Sequence, residues 1–212
     1  MIRAVYFDIG ETILDRTREY QAWAKWLQVP AHTFSAVFGA MIVEGHPVRD
    51  VIARFRPGAD FFAEHEAMAA SGVLPELAEE DLYPDARATL AELRGAGLRI
   101  GIVGNQPAVV SAQLRALDLP ADLIASSQEW GLAKPSPAFF ERIVADAGAP
   151  AASVAYVGDQ LGNDVIAPLD SGLRSIRVRT GPWGQLLTDP ALEARCFAVV
   201  DHLAEIVPLL KP

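Results

Sequence analysis

Six short apolar runs, each closed by a turn residue and set apart by helical patterns, constrain this chain more than any other feature. Arg3–Phe7 is the first and stops on Asp8. Leu98–Val103 (LRIGIV) stops on Gly104, and Leu123–Ala125 is a shorter third. Val154–Val157 stops on Gly158-Asp159, Ser175–Val178 follows, and Phe197–Val200 is the last. Near-continuous apolar runs of this length belong to strands covered on both faces. The helical patterns between them carry their own stop signals. Pro84–Arg94 closes at Gly95-Ala96-Gly97, and Pro107–Leu117 has apolar residues at helical spacing. Pro137–Ala147 begins after Ser136, an expected N-cap, and ends at Gly148, while Asp164–Ser171 is a shorter candidate ending at Gly172. Strand alternating with helix predicts an α/β fold, a doubly wound parallel sheet of Rossmann-like type.

Residues 15–83 break this rhythm. They hold helical patterns over Arg16–Leu27, Phe34–Glu44, Val48–Phe55 and Asp60–Ala70, with no strand signal. The segment reads as a small α-helical cap domain inserted into a core made of residues 1–14 and 84–212. Tyr20, Trp23 and Leu27 share one stripe and are expected to be packing residues. Arg49, Arg54 and Arg56 read as a solvated face. The run 33–43 suits either a cap core or a dimer contact, so monomer and homodimer both stay open.

Composition excludes several partners. The net charge of -9 and pI of about 4.9 argue against nucleic acid, whose phosphates need clustered Lys and Arg. Cys196 is the lone cysteine, so no intrachain disulfide forms, and the expected compartment is the cytoplasm. No run approaches the roughly 20 apolar residues of a membrane span, so no membrane is expected as a partner.

In an open parallel sheet, ligands bind beyond the carboxyl ends of the strands. Parallel pairing would bring Asp8, Gly104-Asn105 and Gly158-Asp159, with Asp164 five residues on, to one edge. Lys134, in the loop GLAKPSP, is the cation that could join them. The set suits phosphoryl transfer. A carboxylate can attack phosphorus, but it repels a dianionic phosphate, so a cation must sit between them. Mg²⁺ does this with oxygen ligands, which Asp159 and Asp164 could supply. Backbone N–H groups of Asn105 and Gln106, ahead of the helix at Pro107, would bind phosphate oxygens.

Four stretches of the chain resemble the four motifs of the haloacid dehalogenase-like (HAD) hydrolase superfamily, in order. They are FDIGETILD, GIVGN, LAKPSPAFF and VGDQLGND, with LYPDARATLAELRGAGLRIGIV leading into the second. The likeness is to the branch with a helical cap after the first motif, and it spans essentially the whole chain. It implies a hydrolase, with Asp8 as the nucleophile and Lys134 holding nucleophile and phosphate together. It implies Mg²⁺ held by the Asp8 carboxylate, the Gly10 carbonyl, Asp159 and, directly or through water, Asp164. The substrate would be a small phosphorylated metabolite.

Two positions depart from the family pattern. Its phosphatases carry Asp where this chain has Gly10, and that carboxyl protonates the leaving group. They carry Ser or Thr where this chain has Gly104, so one hydroxyl contact to phosphate is lost. Glu11 is expected to point away, since neighbouring side chains diverge, while Glu44, His46 or another cap residue could supply a proton if the cap closes. A 2-haloacid dehalogenase and a non-catalytic binding protein therefore stand beside the phosphatase reading.

Overall fold

The computed structural model describes residues 1–211 of the 212. They form two compact units, one of Met1–Asp15 with Ala78 onward and one of Arg16–Leu77.

The first unit is built on a six-stranded sheet, all of whose neighbours run parallel. The strands are β1 (Ala4–Phe7), β2 (Arg99–Gly104), β3 (Leu123–Ser126), β4 (Val154–Gly158), β5 (Arg174–Val178) and β6 (Ala198–Val200), in the order β3-β2-β1-β4-β5-β6. All four residues of β1 and all five of β4 are buried, as expected for strands covered on both faces. The order reverses at β1, where the chain winds outward to β2 and β3 and then returns to place β4 on the other flank. Asp8 and Asp159 each follow one of these two central strands, which pair with Phe7 opposite Val157. That crevice is where an open α/β sheet binds its ligand. Beneath it, Phe139, Phe140 and Ile143 pack with Tyr6, Val103 and Tyr156 in the core.

The second unit holds helices joined by loops and, among the described residues, no strand. Its helices are α1 (Thr17–Trp26), α2 (Ala31–Val43), α3 (Val48–Phe55) and α4 (Phe61–Ala70). Asp60 caps α4 by accepting from the N–H of Ala63 at 2.8 Å. Trp23 is fully buried, stacked on Phe61 with ring centroids 5.4 Å apart. The 33–43 run supplies its own unit's core: Phe34, Phe38 and Ile42 are buried on α2, and Phe34 stacks on Phe55. Among the described residues no single helix is long and apolar enough to cross a membrane.

The boundary differs from the expected one. Residues 78–83 belong with the sheet, because the backbone there is tied to the loop after β1. The N–H of Asp15 donates to Asp81 O at 2.8 Å, the N–H of Tyr83 to Ile13 O at 3.0 Å, and Leu14 bridges Leu82.

The remaining helices that position the site are α5 (Ala86–Gly95), α6 (Ala108–Ala116), α7 (Ser127–Trp130), α8 (Pro137–Ala147), α9 (Ala167–Asp170) and α10 (Gly181–Leu186). Two of them depart from expectation. Ser136 precedes α8 but makes no side-chain cap; the N–H of Phe139, which such a cap would take, donates to the Ser136 backbone carbonyl at 3.0 Å instead. The helix expected to open at Asp164 opens earlier, as a wide π turn over Leu161–Ile166 that runs into α9. Asp164 therefore lies inside a turn and faces inward, where π turns often mark functional sites.

Candidate active site

Four loops at the carboxyl edge of the sheet bring the sequence-predicted residues together. Asp8 continues β1 by donating its N–H to Val157 O at 2.8 Å, which ties its backbone to β4. Lys134 reaches in from the loop before α8. Its Nζ lies 2.7 Å from Asp8 Oδ1 and 2.6 Å from Asp164 Oδ1, and all three residues are buried. The ammonium also stands 5.2 Å from the centre of the Tyr156 ring, a favourable cation–π placement. Burial works against a charged lysine, but Asp164 and Asp8 outweigh it and hold the ammonium well above its usual range.

Asp164 is satisfied on both oxygens, because Oδ2 accepts from the N–H of Gln160 at 2.8 Å. Its own carbonyl accepts from Ser175 Oγ on β5. Burial nevertheless pushes its carboxyl up to about 6, against the pull of Lys134. Asp159 is different. It is fully buried, and neither carboxylate oxygen has a hydrogen-bond partner among the described residues. Burial, and then the charges of Asp164, Asp8 and Glu11, drive its pKa well above the ordinary carboxylate value. An orphaned buried carboxylate is costly unless a cation meets it.

Asp8, Asp159 and Asp164 each offer one oxygen, and the three lie within 4.8 Å of one another. Hard oxygen donors of this kind suit Mg²⁺. The unpartnered oxygens of Asp159 are the observation that makes the fit, since Lys134 satisfies Asp8 and Asp164 but leaves Asp159 without a cation.

Two glycines make room for this arrangement. A Cβ on Gly104 would stand 2.2 Å from Asp8 Oδ1, and one on Gly158 would stand 2.5 Å from Asp164 Cγ. Gly104 is thus where the Asp8 carboxylate leans against β2. Asn105, the next residue, turns its side chain toward the Lys134 backbone, with Nδ2 2.8 Å from Lys134 O and Oδ1 2.9 Å from Lys134 N. The N–H of Gln106 was expected to be open to phosphate. It donates instead to Gly104 O at 3.0 Å, a tight turn that spends the donor within the loop.

Glu11 was expected to point away and does not. Its backbone takes a left-handed conformation (φ 57°), which reverses the ordinary divergence of neighbouring side chains. Its carboxylate is buried, accepts from Tyr83 Oη at 2.7 Å, and lies near enough to raise the pKa of Asp159. Thr180 Oγ1 donates to its carbonyl. No signal in the sequence marks a non-glycine residue as left-handed, so this carboxylate could not be placed from the pattern. Glu44 and His46, by contrast, sit exposed at the end of α2 in the helical unit, where His46 Nδ1 is 3.3 Å from Asp50 Oδ2.

Comparison with known proteins agrees with the geometry. The sequence model of haloacid dehalogenase-like hydrolases matches residues 2–172. The chain is 30% identical over 172 residues to Phosphatase MT3486 of Mycobacterium tuberculosis, covering 74% of this chain and 79% of that one. It is 26% identical over 132 residues to glyceraldehyde 3-phosphate phosphatase of Methanocaldococcus jannaschii, of which it spans 56% while 61% of its own length is matched. Among solved structures, the HAD hydrolase YfnB of Bacillus subtilis, crystallised with magnesium, superimposes with a TM-score of 0.77 at 18% identity, covering 100% of this chain and 99% of that one.

Proposed function

The chain belongs to the haloacid dehalogenase-like hydrolases, and from that premise we propose that it is a Mg²⁺-dependent phosphatase of small phosphorylated metabolites, working through an aspartyl phosphate on Asp8. One observation carries this reading: Asp8 is held at the sheet switch point by Lys134, with the orphaned Asp159 beside it. The names of the curated relatives support phosphate esters as the substrate class.

Mg²⁺ would be held by Asp8, the carbonyl of Gly10, Asp159 and Asp164, and when bound it neutralises phosphate charge. The chain's own residues do the rest. Lys134 pairs with Asp8 and orients its carboxylate, and it adds positive charge where the phosphate must approach. The end of β2 at Gly104 and Asn105 lies on the same sheet edge, and backbone N–H groups there would bind phosphate oxygens. An oxygen of Asp8 attacks phosphorus, the bond to the leaving oxygen breaks, and water then hydrolyses the acyl phosphate. Gly10 offers no proton to the departing oxygen. The site therefore favours esters whose leaving group departs as a stable anion, such as aryl or acyl phosphates. We assign substrate selection to the helical unit, which enters the chain directly after the first motif.

A dehalogenase would also use Asp8 as nucleophile, and Gly10 suits that chemistry. The orphaned Asp159 favours the phosphatase, because displacing a halide calls for no cation at that carboxylate. The deciding assay is hydrolysis of an aryl phosphate with and without Mg²⁺, run with Asp8→Asn beside the wild type. Turnover that needs the metal and disappears in Asp8→Asn supports the proposal. Turnover of a 2-haloacid without metal would replace it, and phosphate binding with no turnover of either would make the chain a binding protein.

A further inference from the structure

Lys134 belongs to a loop with no regular hydrogen-bonding ladder, between Gly131 and the start of α8. A four-carbon side chain launched from such a loop loses rotamer entropy when it is fixed. Its aim depends on where its own backbone is held. We infer that Asn105 is a positioning residue that acts through Lys134. Its side-chain amide clamps the Lys134 peptide and so sets the ammonium between Asp8 and Asp164. The inference rests on the reading of Lys134 as the cation of the site.

The contact is reciprocal. Asn105 Nδ2 donates to Lys134 O at 2.8 Å, and Lys134 N–H donates to Asn105 Oδ1 at 2.9 Å. One planar amide thus satisfies both backbone groups of one residue, as a neighbouring strand would. Asn105 follows Gly104 directly, and Gly104 is registered in the sheet against Ser126. The clamp therefore refers the lysine loop to the same sheet edge that carries Asp8. The two residues stand 29 apart in sequence, so no local preference of the loop supplies this restraint. Asparagine is the side chain that fits. Aspartate accepts but cannot donate, glutamine is one methylene too long, and serine cannot reach both groups at once. Asn105 itself is exposed, so removing its side chain opens no core cavity.

The test is a double-mutant cycle on aryl phosphate turnover with Mg²⁺, joined to chemical labelling of Lys134. Asn105→Ala is expected to lower kcat on the order of 10²-fold, the effect of misplacing a catalytic group by about 1 Å, with KM changing much less. In a Lys134→Met background, Asn105→Ala is expected to cost nothing further. Acetylation of the Lys134 amine by acetic anhydride, followed by peptide mass spectrometry, is expected to be slow in the wild type and several-fold faster in Asn105→Ala. Equal loss in both backgrounds would overturn the inference, because Asn105 would then be acting on phosphate or on the fold. So would unchanged labelling of Lys134. If the wild type turns over no aryl phosphate, the phosphatase reading fails by itself, and the labelling alone then decides the clamp.

Discussion

Gly104 lets Asp8 lean into the end of β2, since a Cβ built there would stand 2.2 Å from Asp8 Oδ1 and 3.1 Å from Ile9 N. In the family pattern this position carries a hydroxyl that contacts phosphate. Here restoring it should do harm. Gly104→Ser is expected to displace the Asp8 carboxylate from Lys134 and to lower kcat on the order of tenfold or more, with the fold retained. Steady-state kinetics with a thermal melt as control would check this. A gain in activity would show that Asp8 moves freely and that the glycine is not required.

The orphaned carboxylate of Asp159 gives a stability prediction. Folded pKa values raised above those of the unfolded chain contribute stability at low pH that is lost as pH rises through them. Asp159 is raised well above its usual value, and Asp164 up to about 6. The metal-free protein should therefore weaken as pH rises through about 6. Mg²⁺ at 100 times its Kd should restore about 2.7 kcal/mol at neutral pH, a Tm rise of roughly 5–10 °C. Asp159→Asn should melt higher than the wild type without metal and show no Mg²⁺ response. Calorimetry across pH, with and without Mg²⁺, measures both.

Gly10 makes a prediction about leaving groups. A positioned general acid is worth about 10²–10⁴-fold, chiefly when the leaving oxygen is strongly basic. Gly10→Asp should raise kcat/KM for an alkyl phosphate by about 10²-fold and change an aryl phosphate much less. Plotting kcat/KM against leaving-group pKa should give a steep slope for the wild type and a shallow one for the variant. A shallow wild-type slope would mean that another group already supplies the proton.

His65 should make the helical unit sensitive to acid. It is buried against Trp23 and Phe61, with ring centroids 6.2 Å from each. Burial lowers its pKa; Glu19 and Glu66 pull it up and Arg16 pushes it down, and the net shift is downward from 6.5. A depressed folded value leaves its contribution intact above about pH 6.5 and removes it as pH falls through the folded value. Denaturant melts followed by Trp fluorescence should show stability declining below that pH, less so in His65→Phe. Parallel profiles for the two proteins would exclude His65 as the cause.

The sheet was legible from sequence because each strand is a local object. A run such as Val154–Val157 is apolar at every position since both its faces are covered, and the turn residues Gly158-Asp159 end it wherever the chain is. The convergence of Asp8, Asp159 and Asp164 followed from that, since parallel strands must present their carboxyl ends at one edge, whereas Lys134, in a loop before a helix, was added as the available cation and through the family resemblance. The start of the helix at Asp164 was misplaced, because a π turn has no distinctive spacing to read. The core's claim on residues 78–83 was hidden in backbone hydrogen bonds to Ile13 and Asp15. Sequence by itself thus determined the fold class and which residues would share a site. Tertiary structure alone decided how they are arranged there: Glu11 buried on a left-handed backbone, Asp159 left without a hydrogen-bond partner, Gly104 yielding space to Asp8, and the Lys134 backbone tied to Asn105. The physical reason is range. Strand and helix patterns are written in neighbouring residues, whereas the ties that aim Lys134 join positions 29 and 30 apart, and only the folded chain brings them within hydrogen-bond distance.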